Sequence, residues 1–444
     1  MPNAKGNHLL LKQGKGITPT GLAPPRGDCA GWVRASQIWL PHYASILSSP
    51  YGTCLTEALT EPCQKLLGFS PCGVSQTPIS SLRGITRGFS MSIEQIQERL
   101  ALVQPLDKEA MQQAAQHQQQ LTKPAGSLGR LEEIAIRLAG IQGTSLPHIQ
   151  QKSVIVMAGD HGVTREGVSA YPAEVTPQMV LNFLAGGAAI NALARQAQAE
   201  VVIVDIGVAA PLAHPQLISR KVALGSANMA ERPALTREQL FEAIQVGFEV
   251  LDATAEKGCH LIAIGEMGIG NTTAASAISA ALLRQPVDAL TGHGTGINTE
   301  QRQHKVRVLE RALELNQPDP NDALDVLAKV GGLEIAGLTG VIIAAAARRI
   351  PVLIDGFISG SAALAACALN PAIRNYLFAG HTSVEPGHRL ILEHLQLQPL
   401  LNLNMRLGEG TGAVLAMHIL EAALHTHNEM ATFAQAGVSE KEEE

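Results

Sequence analysis

His260-Leu261-Ile262-Ala263-Ile264-Gly265-Glu266-Met267-Gly268-Ile269-Gly270-Asn271-Thr272-Thr273 is the stretch that decides the fold. A short apolar run, His260–Gly265, gives way to a glycine-rich turn, and the turn opens onto an Ala-rich helical stretch, Asn271–Leu283. Strand, tight turn and helix in that order form part of a unit whose successive strands run parallel beneath covering helices. The same punctuation recurs along the chain. Ser153–Ala158, Val201–Gly207, Pro351–Gly356 and Tyr376–Gly380 are short apolar runs ending near Gly, Asp or His. Between them Pro177–Gln198, Arg237–Glu256, Glu300–Leu315 and Glu334–Arg349 read as helices, with Thr176 as cap and Pro177 in the first turn of the first. The expected fold class is α/β, a doubly wound parallel sheet whose ligands collect beyond the carboxyl ends of its strands.

The helical stretches before Ser153 (about Ser92–Gln119 and Gly129–Ile141) and after the last strand (Gly412–His425) have no strands between them. They are expected to form a smaller helical part, about 92–145 plus 409–430, closing over an α/β part of about 150–400. Hydrophobic content of 46% with only 3% aromatic residues suits a sheet buried under helices better than a β-sandwich. The apolar run from Ile335 to Ala347 is too short to span a bilayer and reads as a buried helix. A net charge of -6 gives no footprint for nucleic acid, and no secretory signal opens the sequence. These features, with cysteines in no metal-knuckle spacing, fit a reducing, cytoplasmic location without a membrane span.

Residues 1–90 differ from the rest. They carry both tryptophans, four of the six cysteines and eight Lys/Arg against three Asp/Glu, with Gly, Pro and Ser in no helical or strand period. This reads as a disordered extension, either a true but poorly ordered tail or a mis-called start with Met91 as the native one, since a helix signature begins at Met91-Ser92-Ile93-Glu94-Gln95. Residues 431–444 read as a polar, acidic tail.

Chemistry concentrates in the turns. Gly265–Thr273 offers main-chain amides at a helix start, with Gly268 and Gly270 permitting close approach of an anion. Its spacing imitates a P-loop except that Asn271 stands where the lysine would be, which disfavours a nucleoside-triphosphate hydrolase and leaves room for a single phosphate at Asn271 and Thr272. Gly292-His293-Gly294-Thr295-Gly296 and Ser359-Gly360-Ser361 read as further helix-entry turns with amide and hydroxyl donors. Lys305 is either the missing cation or a solvated surface lysine, and Glu266 faces a ribose hydroxyl or a reacting base. Asp160-His161 reads as structural hydrogen bonding, and His381 and His388 lie alone in their own loop, so no metal and no cofactor is expected. In Arg406-Leu407-Gly408-Glu409-Gly410-Thr411-Gly412-Ala413, Glu409 sits among three glycines ahead of an apolar helix and is the obvious proton acceptor. Whether the helix terminus or desolvation dominates the ionisation of Glu409 stays open at this level. A nucleotide-binding sensor on the same fold is the non-enzymatic alternative, and it would not need that base.

These segments, with Thr122–Gly129, Asn182–Ile190, Gly331–Gly337, Asp355-Gly356-Phe357 and Gly380-His381, resemble in one order the nicotinate-nucleotide:dimethylbenzimidazole phosphoribosyltransferase family. The resemblance covers about residues 91–430. It implies a Rossmann-like domain with a small helical domain, assembled as a homodimer. It also implies Glu409 as general base, with Glu266 and Lys305 near the substrates. Ser169, Tyr171, Gln178, Met267 and Leu407 then fall in segments lining an aromatic-base pocket. The implied reaction takes nicotinate mononucleotide and 5,6-dimethylbenzimidazole to α-ribazole 5′-phosphate and nicotinate. A benzimidazole nitrogen attacks C1′ from the face opposite the leaving pyridinium, through a transition state resembling an oxocarbenium ion. No pyrophosphate leaves, so the chemistry asks for no magnesium clamp.

Overall fold

A computed structural model describes residues 91–294 and 296–439. The extension 1–90, with its expected disorder, and residues 440–444 of the acidic tail lie outside the described residues.

Six strands form one parallel sheet: β1 (Lys152–Gly159), β2 (Glu200–Gly207), β3 (Ile218–Ser219), β4 (Leu261–Met267), β5 (Val352–Ile354) and β6 (Leu377–Ala379), in spatial order β3-β2-β1-β4-β5-β6. All eight residues of β1 are buried, as a strand covered on both faces must be. The strand order reverses between β1 and β4, so connections leave that point in opposite directions and open a crevice at the carboxyl edge. Register across this pair matches Met157 with Glu266 and Ala158 with Met267, which sets the residues following β1 beside the end of β4.

Helices fill the connections. α1 (Ile93–Ala101), α2 (Lys108–Gln120) and α3 (Arg130–Gln142) precede β1; α4 (Val175–Leu184) and α5 (Ala189–Ala197) link β1 to β2; α6 (Arg237–Glu256) leads into β4. Between β4 and β5 come α7 (Asn271–Leu283), α8 (Val287–Leu290), α9 (Thr299–Asn316), α10 (Ala323–Val330) and α11 (Leu333–Ala347). α12 (Phe357–Leu369) joins β5 to β6, and α13 (Pro386–Leu395), α14 (Thr411–Glu429) and α15 (Phe433–Ala436) follow. α14 packs on α3 and α5, and α2 packs on α3. His427 of α14 is buried there: Nε2 donates to the Ser145 carbonyl at 2.8 Å, which leaves Nδ1 to accept from Gln118 of α2 at 2.7 Å. No helix among the described residues is long and apolar enough to cross a membrane.

Two expected helices are each broken in two. Pro177–Gln198 splits because Gly186 turns left-handed (φ +75°), and Asn191 Oδ1 then accepts from the Ala188 amide at 3.1 Å to start α5 afresh. Ser92–Gln119 splits around Pro105, after which Asp107 accepts from the Ala110 amide at 3.0 Å and caps α2. Thr176 does not cap α4 either. It lies inside the first turn, where its hydroxyl accepts from the Ile269 amide at 3.1 Å. At Ser92, Gln95 returns its bond to the cap amide at 2.9 Å, whereas the serine hydroxyl caps no backbone group. β3, α8, α10, α13 and α15 were not anticipated, and α12 was expected only as a helix entered at Ser359–Ser361, whereas it begins at Phe357. α12 is apolar nearly all round and carries no amphipathic period to read.

The stretch read as a buried helix is α11, buried from Leu333 to Ala346 and laid across the sheet against α6. Their main chains nearly touch: a Cβ on Gly247 would stand 2.1 Å from the Gly337 carbonyl oxygen and 2.8 Å from the Val341 amide nitrogen. Backbone atoms cannot step aside as a side chain can. Gly247→Ala should therefore destabilise the fold by about 1–3 kcal/mol through overpacking, read as a lowered Tm; an unchanged Tm would show that the two helices separate freely.

Candidate active site

At the switch point, β4 ends in Gly265, Glu266 and Met267. A Cβ on Gly265 would lie 2.2 Å from the Glu409 carbonyl oxygen, so the turn ahead of α14 rests directly on the strand. Gly408, Glu409 and Gly410 all take left-handed backbone, with φ of +89°, +63° and +89°. Two of the three are glycines and adopt it freely; Glu409 bears roughly 1 kcal/mol of strain. Strain of this sort persists where the surroundings over-determine a side chain's aim.

Glu409 is buried, and its Oε2 accepts from the Ile190 amide at 3.2 Å, in the first turn of α5. Burial raises its pKa, the Ile190 amide opposes that, and the charge of Asp355 raises it further. Desolvation therefore wins the contest that the sequence left open. The helix start that meets Glu409 belongs to α5. The start of α14 is occupied by Asp355, whose Oδ1 accepts from the amides of Gly412 at 2.7 Å and Ala413 at 3.0 Å.

Glu266 crosses the same turn, its Oε1 2.4 Å from where a Cβ on Gly408 would be. Its other oxygen accepts from the side-chain amide of Asn271. Burial first, then the neighbouring carboxylates of Asp355, Glu334 and Glu409, push its pKa up to about 8. Burial and these acidic neighbours thus favour the protonated form of Glu266. Asn271 opens α7 but serves Glu266, so it does not replace a P-loop lysine.

The cation comes from elsewhere. Lys305 of α9 is buried, with Nζ donating to Thr272 Oγ1 at 2.7 Å, so it is no solvated surface lysine. Burial lowers its pKa to about 8 against the pull of Glu385. Gly292 and Gly294 line a cleft of about 450 Å³ with His293, Arg302, Glu385 and Arg406, and a Cβ on Gly294 would lie 3.4 Å from Thr272 Oγ1. Thr272, Lys305 and the Gly292–Gly294 backbone therefore adjoin one another. Gly270 caps α7 with φ +94°, and a Cβ on Gly268 would stand 2.2 Å from the Gly159 carbonyl oxygen, as a turn folded onto the sheet edge requires.

Ser359, Gly360 and Ser361 correct the reading of a donor-bearing turn. They lie within α12 and use their donors locally: Ser359 Oγ donates to the Gly356 carbonyl at 3.2 Å, Ser361 Oγ to Ile358 at 2.7 Å, and the Gly360 amide to Gly356 at 2.8 Å. Of the expected base pocket, Met267 follows Glu266 and Leu407 precedes the Gly408–Gly410 turn. Tyr171 (51% exposed) and Leu407 (57%) stay open, Gln178 is exposed on α4, and Ser169 Oγ accepts from the Tyr171 amide at 3.2 Å.

Sequence reasoning missed three contributors. Asp355 and His381 follow adjacent strands, with His381 Nε2 3.5 Å from Asp355 Oδ1. Glu334, at the start of α11, accepts from His161 at 2.7 Å, both fully buried. Burial opposes the charge on His161, but Glu334 and then Asp160 raise its pKa. These residues meet only when strands pair and α11 docks; the signal available was that each lies within two residues of a strand end or opens a helix. Asp160 does the structural bonding expected of it, accepting from the Ala209 amide at 2.8 Å. Among the described residues, no group of three or more His, Cys, Asp or Glu is placed to hold a metal ion.

Comparison with known proteins supplies an independent finding. Residues 103–438 match a family described as Phosphoribosyltransferase. The nicotinate-nucleotide--dimethylbenzimidazole phosphoribosyltransferase of Chloroflexus aggregans is 61% identical over 340 residues, spanning 76% of this chain and 96% of that protein. Its counterpart in Geobacter sulfurreducens is 55% identical over 344 residues, spanning 77% and 98%. A crystal structure of CobT from Thermus thermophilus superposes with a TM-score of 0.73 at 48% identity, covering 75% of this chain and 100% of that one.

The Glu266 environment has a measurable consequence. Glutamate ionises at its ordinary value of 4.5 when unfolded and at about 8 here, so between those values the folded chain keeps a proton that the unfolded chain has lost. Stability contributed below pH 4.5 is then lost as pH rises to about 8. Glu266→Gln removes that loss, and its stability gain over the native chain should grow across this window by up to about 1.4 kcal/mol per pH unit. Urea unfolding at a series of pH values reads it; a gain that does not vary with pH would mean Glu266 is ionised in the folded protein.

Proposed function

The chain belongs to the nicotinate-nucleotide:dimethylbenzimidazole phosphoribosyltransferase family, and from that premise we propose how this site performs the transfer. The 5-phosphoribosyl group passes from nicotinate mononucleotide to 5,6-dimethylbenzimidazole with inversion at C1′. The products are nicotinate and α-ribazole 5′-phosphate, for assembly of the cobalamin nucleotide loop. One observation carries the reading. Two buried carboxyl groups, Glu409 and Glu266, share a glycine turn at the switch point, and a buried lysine adjoins the glycine-rich turns beside them.

In this reading the mononucleotide phosphate sits at Gly268, Gly270 and Thr272 on the start of α7, where main-chain amides and Lys305 balance its charge. The Gly292–Gly294 backbone closes the same end. Glu266, neutral at pH 7, donates a hydrogen bond to a ribose hydroxyl without repelling the phosphate. Glu409 is ionised when it acts: it complements charge developing at C1′ and takes the proton from the attacking azole as the new bond forms. Burial brings its pKa nearer working pH, which makes it a better proton acceptor than an ordinary glutamate. Met267, Leu407, Ser169, Tyr171 and Gln178 face the aromatic base. The enzyme works as a homodimer in the cytoplasm; the exposed Tyr171 and Leu407 support a second chain completing that wall, and the free cysteines Cys259 and Cys367 suit a reducing compartment.

Purified protein incubated with nicotinate mononucleotide and dimethylbenzimidazole should release nicotinate and form a ribotide whose anomeric NMR signals mark the α configuration. A β product would exclude inversion, and absence of any ribotide would exclude the transfer. Glu409→Gln should lower kcat by about 10²–10⁴-fold while titrated base binding changes little; undiminished turnover would remove Glu409 from the chemistry.

A further inference from the structure

Asp355 leaves the end of β5 and is buried beneath the start of α14. Its Oδ1 accepts two amides at once, from Gly412 at 2.7 Å and Ala413 at 3.0 Å, the second and third residues of that helix. Its own amide is held by Ser359 Oγ at 3.0 Å, from the first turn of α12. His381, after β6, backs the carboxylate at 3.5 Å and packs so closely on the helix that a Cβ on Gly412 would lie 2.0 Å from its ring. One residue earlier in the chain, the amide and hydroxyl of Thr411 both donate to the Gly408 carbonyl, at 3.1 and 2.8 Å. The left-handed turn carrying Glu409 is thus clamped between β4 below and a helix start that Asp355 pins.

We propose that Asp355 is a positioning residue for the transfer: by filling the start of α14 it fixes the turn that aims Glu409 and keeps the Glu409 carboxylate free for substrate. The inference rests on Glu409 being the base. The physical argument is one of competition. An unfilled helix start carries about half a positive charge and attracts the nearest carboxylate, and Glu409, immediately ahead of the Gly410 cap, stands next in line. With Asp355 seated, that attraction is already satisfied by charge-assisted bonds. Asp355 also acts through space. The groups facing the Glu409 turn are Glu266 from β4, Asp355 from β5 and His381 from β6, with the Glu334–His161 pair beyond Glu266. After burial, the charge of Asp355 helps hold the proton on Glu409.

Geometry and charge separate in two variants of the full chain. Asp355→Ala loses both, and kcat should fall about 10–100-fold with KM for both substrates changed less than about threefold. Asp355→Asn keeps an oxygen that accepts the same two amides, so most of kcat should return. Its acidic limb should move to lower pH, because removing a negative neighbour lets Glu409 ionise more readily. Full kcat in Asp355→Ala, an Asp355→Asn enzyme as slow as Asp355→Ala, or an unmoved acidic limb would each overturn the proposal. If Asp355→Ala fails to fold by circular dichroism, the Asp355→Asn pH profile decides alone. Glu409→Gln is assayed alongside: its retaining full kcat would condemn the base assignment itself, a different failure from normal Asp355 variants beside an inactive Glu409→Gln.

Discussion

Main chain lies against main chain where the Gly408–Gly410 turn meets Gly265 of β4, and the site depends on that contact. Any side chain at Gly265 would push the turn off the sheet, and Glu409 would leave the crevice with it. Similar approaches occur at Gly268 against Gly159 and at Gly247 against Gly337. The fold thus omits side chains where segments must come close, and reserves its bulk for the Val, Ile and Leu that bury the strands. The glycines of the loops and the apolar strands serve one purpose: to bring polar ends of distant segments within a few ångströms at one sheet edge.

What gathers there is an excess of acid. Glu266, Glu334, Asp355 and Glu409 influence one another in a largely water-free region, and such a group cannot hold every charge. The protein meets the problem differently at each residue. Glu334 is paired with His161, Asp355 is engaged at a helix start, Glu266 keeps its proton beside Asn271, and Glu409 retains a single amide contact from Ile190. Of the four, Glu409 is left least committed by the protein. That suits it to the proton exchange proposed for it, in a field set by the others. The cationic side is built with equal restraint, since the lysine lies behind Thr272 instead of projecting into solvent.

Much of this was legible in the sequence. Five of the six strands and the helices Arg237–Glu256 and Asn271–Leu283 follow from apolar runs bounded by glycine and caps, because local physics governs them. The glycines around Glu409 marked a carboxylate in a turn of close approach, whereas the left-handed backbone of Glu409 itself was not foreseen. Helix breaks at Pro105 and Gly186 were present as residues but outweighed by the helical pattern on either side. Other features were hidden for a physical reason. α12 shows no period because it has no wet face. The Asp355–His381 and His161–Glu334 pairs exist only once strands have aligned and α11 has docked. Ser359 and Ser361 looked like ligand donors because sequence does not show that a helix consumes them.

His427, joined to Gln118 and Ser145 across sequence separations of 309 and 282 residues, ties the last long helix to the first helices of the described region. α14 follows directly on the turn that carries Glu409, and it leaves the ribosome after every strand of the sheet. The sheet can assemble during translation, but its chemistry must wait for this helix to dock between partners made long before. On the proposed assignment of Glu409, a nascent chain holds a nearly finished scaffold whose base is placed only when this closing segment docks.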